Sequence, residues 1–402
     1  MTSCLVEQEL GRRLRRKTGR RFGALDAMRG IAAISVMFFH YLIGTSYHVF
    51  ERAFYAVDLF FVLSAFVLMH SYGAKIGRSL NFTQYFRLRL IRLYPLYLIG
   101  TVLGMCIIPM YIASRMANNF GIRDYILSSV CAFLFLPYPN AGALPLSAWG
   151  AMVGPIFPFD IPAWSLFFEL LASIGLFFVV KNKIKIIHIL WMSFIVLTLS
   201  TFHYHTLNVG FAASNVFGGF ARTTFTFSLG ILFYNLFDST KNDNISVSPL
   251  IFLFITAICL ASPESVFGWQ VKGYAIWLVL IANLACCALT ADTAEEDKPI
   301  YNWLGRISYG VYAIHLPIYL IVIFVLRRTP WASGVDHAPL TFACLLAILV
   351  IASSHLLTSI IDEPLRQRLK TRFSLRALLE SSAAGERLEA VLDSGPDDEG
   401  HG

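Results

Sequence analysis

The 402-residue chain is poor in charged residues. Asp, Glu, Lys and Arg make up only 14% of it, against about 25% in soluble globular proteins, while 56% of its residues are hydrophobic. This composition excludes an ordinary soluble domain. Long, nearly uncharged apolar windows recur along the chain, and they predict an all-α fold, a polytopic bundle of transmembrane helices. The net charge of +7 therefore gives no reason to expect nucleic acid as a partner.

Several enzyme signatures are also absent. The chain has no GxSxG elbow, no P-loop and no His-x4-Asp motif of the kind found in glycerolipid acyltransferases, and its membrane-side loops lack the DxD motif of many glycosyltransferases. Seven cysteines form neither a CxxC pair nor a Cys/His cluster. We therefore expect no disulfide framework and no metal site.

Ten apolar segments are candidate membrane spans. An eleventh apolar piece, Tyr125–Leu136, is too short to cross a bilayer comfortably and ends in a proline-rich run, so we expect it to be re-entrant or interfacial. The ten candidate spans are 31–48, 54–71, 95–113, 164–180, 186–202, 216–237, 247–261, 272–290, 308–326 and 338–360.

The distribution of Lys and Arg predicts the orientation. With ten spans and a cytoplasmic N-terminus, 25 of the 32 Lys and Arg residues fall on the cytoplasmic side. If Tyr125–Leu136 crossed, the basic Lys181–Lys185 and Arg366–Arg376 segments would lie outside, against the positive-inside rule. We therefore predict ten spans with both termini cytoplasmic.

These observations suggest three regions. Residues 1–24 are a basic cytoplasmic arm rather than a signal peptide, residues 25–366 form the transmembrane domain, and residues 367–402 form a largely disordered cytoplasmic tail. The segment Tyr111–Pro162, rich in Pro, Gly and Asn, is the largest predicted outward-facing loop. It either forms a lid or acceptor-binding surface or simply closes the bundle.

Two polar residues share the first apolar segment. Arg29 and His40 are eleven positions apart, which on a helix is a rise of about 16 Å and a rotation of about three turns plus 20°. Both therefore lie on nearly the same face, with Arg29 at the cytoplasmic end. Taken alone, Arg29 could extend its charged end to the membrane surface and set the topology, and His40 could make a structural hydrogen bond between helices. Their position on a shared face favours a common function instead.

Two carboxylates, Asp58 and Glu169, come early in later spans. A carboxylate in a membrane helix costs about 2.5–3.5 kcal/mol on insertion scales and normally needs a partner. We expect one of them, Glu169 before Asp58, to orient His40 so that the other imidazole nitrogen acts as a base. A purely structural ion pair is the alternative.

A basic hairpin precedes the third span and holds Arg87, Arg89 and Arg92. Guanidinium groups bind phosphates bidentately, so this cluster predicts a phosphate site on the cytoplasmic side. Binding of anionic lipid headgroups explains it equally well. Arg222, inside a span, needs a partner, and the role of His315 stays open.

In these motifs the chain resembles the membrane acyltransferase-3 family, which O-acylates bacterial surface glycans, exopolysaccharides, Nod factors and some macrolides. The matching runs cover nearly the whole chain. In order, they are LDAMRGIAAISVMFFH, VDLFFVLSAFVL, YFRLRLIRLYPLY, AWSLFFELL, ISYGVYAIHLPI and DEPLR.

The resemblance implies a ten-helix O-acyltransferase of the bacterial inner membrane that takes acetyl-CoA or another acyl-CoA as cytoplasmic co-substrate. It implies that Arg29 and His40 are the functional core and that the acceptor is a carbohydrate or glycoconjugate hydroxyl, or a secreted small molecule such as a macrolide. Few residues follow DEPLR, so we expect direct transfer or a separate periplasmic or glycan-assembly partner. The alternative from another class is a proton-coupled transporter or flippase.

Overall fold

The computed structural model describes residues 22–147, 150–239, 247–263, 265–266, 269–270, 273–290 and 298–371. Within these ranges the chain is a helical bundle with two small antiparallel hairpins, β1 (Ala143–Ser147) with β2 (Gly150–Val153) and β3 (Ser265–Val266) with β4 (Trp269–Gln270). The helices are α1 (Gly23–Leu42), α2 (Ala56–Tyr72), α3 (Phe82–Ala113), α4 (Ile122–Phe133), α5 (Ala163–Lys181), α6 (Ile186–Tyr204), α7 (Val216–Ser239), α8 (Pro249–Ala261), α9 (Gly273–Leu289), α10 (Pro299–Leu326), α11 (Ala332–His337) and α12 (Pro339–Leu357).

The predicted polytopic bundle is confirmed. Eight of the described helices are long and apolar enough to cross a membrane, and the shorter apolar helices α8 and α9 fall on two further predicted spans. Helix α4 has 12 residues and corresponds to the segment predicted not to cross. Helix α12 continues through a π-helical turn, Thr358–Asp362, to Thr371. The remainder of the predicted tail and residues 1–21 of the predicted arm lie outside the described residues.

The prediction of a basic hairpin before the third span is wrong. Helix α3 is continuous from Phe82 to Ala113, so the arginine cluster and the span after it share one helix. The helix starts at a capping box, in which the Asn81 side chain accepts from the N–H of Gln84 and the Gln84 side chain accepts from the N–H of Asn81. Pro95 lies inside the helix without ending it, as prolines in membrane helices often do.

Tyrosine hydroxyls attach the short helix α4 to α3. Pro109 in α3 has no N–H, so the carbonyl of Met105 loses its helical partner, and Tyr125 of α4 donates to that carbonyl at 3.0 Å. In the opposite direction, Tyr97 of α3 donates to the carbonyl of Ala132 in α4 at 2.8 Å. Helix α4 is therefore fixed along the outside of a crossing helix.

Helices α1 and α10 make the most extensive contact in the bundle. Helix α10 also packs on α3 and α12, while α2 packs on α5 and α7. Helix α6 lies at the periphery, where only 11% of its apolar window is buried within the protein. The helices α1, α2, α3, α5 and α10 thus surround the interior of the bundle.

Candidate active site

A cavity lies between helices α1, α2, α3, α5 and α10. It brings together four residues predicted from the sequence: Arg29, Arg89, Arg92 and Glu169. Arg87 is exposed on α3 and does not line the cavity. The remaining wall residues are Phe60, Phe61, Ser64, Val67, Leu68, Leu93, Ser165, Leu166, Ser308, Tyr309 and Tyr312.

Glu169 is bound at the wall of this cavity. Its Oε1 accepts from Nη2 of Arg89 at 2.7 Å and from the Ser64 hydroxyl at 2.6 Å. Arg89 is 7% exposed, and pairing is what such a buried guanidinium requires. The structure therefore places Glu169 with Arg89 rather than with His40.

The other two cavity arginines keep their N–H groups available. Arg92 makes no hydrogen bond within the described part of the chain, and its guanidinium lies 5.4 Å from the centre of the Tyr309 ring. The nearest carboxylate oxygen to Arg29 is Oδ1 of Asp26, at 3.9 Å from Nη1, beyond hydrogen-bond distance. Two guanidiniums with unused donors in one cavity form a suitable site for an anion.

Asp58 is the partner that Arg222 needed. Nε of Arg222 donates to Oδ1 of Asp58 at 2.7 Å and Nη2 donates to Oδ2 at 3.0 Å, with both side chains 1% exposed. The Trp277 indole N–H also donates to Oδ2, at 2.9 Å, and Arg222 donates to the carbonyl of Phe54. Asp58 thus joins α2, α7 and α9, and the structure does not bring it to His40.

His40 contacts a second histidine instead of a carboxylate. Its Nδ1 lies 3.1 Å from Nε2 of His315 on α10 and 3.0 Å from the carbonyl oxygen of Val36. His40 is 9% exposed and His315 is fully buried. Nε2 of His40 has no hydrogen-bond partner among the residues that the structure describes.

The sequence carried an overlooked signal for His315. Tyr309, Tyr312 and His315 are spaced at three-residue intervals, so they lie along one face of α10. The structure shows that Tyr309 and Tyr312 line the cavity and that the Tyr312 ring centre lies 5.9 Å from that of His315. Tyr309 and Tyr312 of α10 therefore lie between the arginine-lined cavity and the histidine pair.

A second cavity, with no room for a water molecule, contains a buried acid in the segment before α5. Asp160 is 2% exposed, and neither of its carboxylate oxygens has a hydrogen-bond partner in the described ranges. Burial raises the pKa of the Asp160 carboxyl well above its usual range. The hydroxyl of Thr101, also in this cavity, lacks a partner as well. Among the described residues, no cluster of His, Cys, Asp or Glu is arranged to hold a metal ion.

Comparison with known proteins places this architecture in a family. A family model described as an acyltransferase domain matches residues 22–358, which include every helix from α1 to α12. The chain is also 33% identical, over 165 residues, to "Protein 2 in picA locus" of Rhizobium radiobacter, an alignment covering 38% of this chain and 79% of that protein. No solved structure matches. The chain belongs to this acyltransferase family, the membrane acyltransferase-3 family that its motifs resemble.

Proposed function

We propose that this membrane acyltransferase moves an acyl group, most simply acetyl, from cytoplasmic acyl-CoA to a hydroxyl of a carbohydrate or glycoconjugate acceptor. The observation that carries the proposal is the single cavity in which Arg29 and Arg92 offer unused donors and whose wall, through Tyr312, reaches the histidine pair. Family membership supports acyl transfer and disfavours the transporter alternative.

The arginines supply the donor-binding end. CoA carries phosphate groups, and among the described residues that line the cavity three guanidiniums face one carboxylate, that of Glu169. Arg29 and Arg92 would contact the phosphates directly, while Arg89 is positioned by Glu169. Arg87 would contribute from the exposed surface of α3. The acyl-pantetheine arm would then extend along α1 from Arg29 toward His40.

His40 supplies the base. Nε2 of His40 would take the proton of the acceptor hydroxyl as its oxygen attacks the thioester carbonyl. Collapse of the tetrahedral intermediate breaks the C–S bond, and the departing thiolate takes the proton back from Nε2, giving the ester and CoA thiol. In a relay alternative, Nε2 attacks the thioester carbonyl and CoA thiolate leaves. The acceptor hydroxyl then attacks the acyl-imidazole, the C–N bond breaks, and the hydroxyl proton goes to the thiolate, which gives the ester, CoA thiol and free His40.

The acceptor class is the second part of the proposal. We propose a surface glycan or lipid-linked oligosaccharide at a bacterial inner membrane, with direct transfer or a periplasmic or glycan-assembly partner. A secreted small molecule such as a macrolide is the second acceptor class. Mass spectrometry of surface glycans from cells with and without the gene would distinguish them, because only the glycan acceptor predicts a mass difference of one acyl group per modified sugar.

Replacement of His40 tests the chemistry. His40→Ala should lower acyl transfer by about 100-fold or more, the scale of general-base catalysis, while acetyl-CoA binding persists. His48→Ala is the matched control, because the His48 ring is largely exposed and pairs with Glu51 near the surface. Normal transfer by purified His40→Ala would overturn the proposal. A trapped acyl-enzyme on the wild type would favour the relay.

A further inference from the structure

The protonation of His315 follows from its contacts. Its Nδ1 lies 2.9 Å from the carbonyl oxygen of Tyr312 and 3.1 Å from that of Val311, and carbonyl oxygens only accept hydrogen bonds. Nδ1 of His315 therefore carries a proton. No carboxylate contacts this ring or that of His40 in the described part of the chain, so a buried imidazolium there would be uncompensated. A neutral His315 leaves Nε2 as an acceptor.

The same reasoning fixes His40. Its Nδ1 faces two acceptors, Nε2 of His315 at 3.1 Å and the carbonyl oxygen of Val36 at 3.0 Å. Nδ1 of His40 must therefore carry the proton, and in a neutral ring Nε2 then holds the lone pair. Nε2 is also the ring nitrogen without a hydrogen-bond partner among the described residues, so the basic atom is the available one.

We infer that His315 is a positioning residue that holds His40 in the Nδ1–H tautomer and directs its Nε2 to the reacting groups. This inference rests on the proposed role of His40 and deepens it, since it assigns the orienting function to α10 instead of to Glu169 or Asp58. Both carboxylates are already bound to arginines, at 2.7 Å in each case.

The hydrogen bond between His40 and His315 persists whether His40 is neutral or protonated. When Nε2 of His40 takes the hydroxyl proton, the resulting imidazolium still donates from Nδ1 to Nε2 of His315, so no hydrogen bond breaks as charge develops. The ring of His315 cannot rotate away without losing its own carbonyl acceptors on α10. Without His315, the carbonyl of Val36, one turn earlier on the same helix, would be the one remaining acceptor among the described residues for Nδ1 of His40, and both the tautomer and the orientation of the ring would be less well defined.

Two substitutions at His315 separate its acceptor role from packing. The side-chain oxygen of Gln can accept from Nδ1 of His40, whereas Leu fills the space without an acceptor. We expect His315→Leu to lower kcat by about 100-fold with KM for acetyl-CoA little changed, and His315→Gln to stay within about 10-fold of wild type. The rate is measured as CoA thiol released in proteoliposomes supplied with membrane extract as acceptor source.

A spectroscopic readout reports the tautomer without turnover. In protein labelled with ¹⁵N-histidine in lipid, the His40 signals, assigned by their loss in His40→Ala, should show a protonated Nδ1 and an unprotonated Nε2. His315→Gln should keep this pattern, and His315→Leu should give a mixture of tautomers or ring orientations. Wild-type rate and a wild-type His40 spectrum in His315→Leu would overturn the inference.

The outcomes distinguish this inference from the proposed function. If His40→Ala retains normal transfer, the proposed function of His40 fails whatever the spectra show. If His40→Ala loses transfer and His315→Leu does not, only the positioning role fails. Thermal stabilisation by acetyl-CoA, equal in wild type and both His315 variants, is the control that the variants are folded and bind donor.

Discussion

At the scale of single residues, the meaning of each buried charge depends on its partner. Five charged residues of the bundle, Asp58, Glu169, Arg222, Arg89 and Arg92, differ in whether they have such a partner. Asp58 and Glu169 are committed to Arg222 and Arg89, whereas Arg92 has no hydrogen bond in the described part of the chain. The committed pairs hold helices together, and the uncommitted guanidinium is available to a ligand.

The Asp58–Arg222 pair gives the clearest prediction for stability. Removing one member of a buried ion pair leaves the other charge uncompensated, so Asp58→Ala should lower the free energy of unfolding by about 3–5 kcal/mol. The double variant Asp58→Leu/Arg222→Met should be less destabilised than Asp58→Ala, because it leaves no unpaired charge. Unfolding in SDS titrations measures both. A stable Asp58→Ala protein that has lost acyl transfer would instead assign Asp58 to the reaction.

Sequence reasoning found the charged residues but could not pair them. A carboxylate in a span predicts a partner, and Arg222 predicts one too, yet 164 positions separate Asp58 from Arg222 and no local periodicity relates them. The sequence does not reveal the role of His315 for the same reason, since its contact with His40 spans 275 positions. Pairings of this kind arise from helix packing, which depends on the whole bundle.

At the scale of elements, the close approach of the 156–162 segment to α3 requires a glycine. A Cβ added at Gly104 would lie 1.8 Å from the carbonyl oxygen of Phe159, and backbone atoms cannot move aside cheaply. Gly104→Ala should therefore displace this segment and lower the midpoint of thermal unfolding by several degrees. Gly175→Ala on α5 is the matched control, because an added Cβ there meets nothing within 4 Å. Equal unfolding midpoints for the two variants would contradict the close contact between Gly104 and the backbone of Phe159.

The same segment carries Asp160, whose surroundings suit a neutral carboxylic acid. Pro317 has no N–H, so the carbonyl of Ala313 lacks its helical donor. A Cβ added at Gly100 would lie 2.0 Å from that carbonyl oxygen and 3.2 Å from Oδ2 of Asp160, which places the two oxygens near each other. A protonated Asp160 needs an acceptor for its proton, and the carbonyl of Ala313 is one that Pro317 leaves without its helical donor.

Asp160 therefore predicts a pH dependence of stability. Because burial raises its pKa, the folded protein holds one proton more than the unfolded chain between the usual pKa and the raised one. Below the usual pKa of Asp, the contribution of Asp160 to stability is fully present. As the pH rises from that value to the raised pKa, the free energy of unfolding falls by about 1.4 kcal/mol per pH unit. Asp160→Asn should remove this contribution to the slope at pH values just above the usual pKa of Asp. Parallel pH profiles for wild type and Asp160→Asn would contradict the assignment.

Helices were more predictable than the segments between them. The lengths of the apolar segments predict where the spans lie. The ends of a helix depend on local capping residues: α3 starts after its N-cap Asn81, well before Pro95, where the predicted span begins. The residues of the 156–162 segment gave no such signal. Its position follows from side-chain and backbone contacts with α3, which hydropathy does not register.

At the scale of the whole molecule, a membrane bundle of this family encloses a cavity with excess positive charge beside a neutral histidine pair. The distribution of Lys and Arg predicts that Arg29, Arg89 and Arg92 lie near the cytoplasmic side. The structure adds that these three converge on one cavity and that Arg87 does not line it. Under the proposed function, donor binding and base catalysis lie toward opposite ends of α1.

Thermal stabilisation by acetyl-CoA is the measurement that tests the proposed donor site most directly. A ligand at about 100 times its Kd stabilises the folded state by about 2.7 kcal/mol, so acetyl-CoA should raise the unfolding midpoint of purified protein more than ATP at equal concentration. Arg92→Ala and Arg29→Ala should each raise the acetyl-CoA concentration needed for the same shift by about 10- to 100-fold, the equivalent of one charged hydrogen bond. Arg87→Ala, outside the cavity, should have a smaller effect than either. Equal stabilisation by ATP, or an undiminished acetyl-CoA response in Arg92→Ala and Arg29→Ala, would contradict the account.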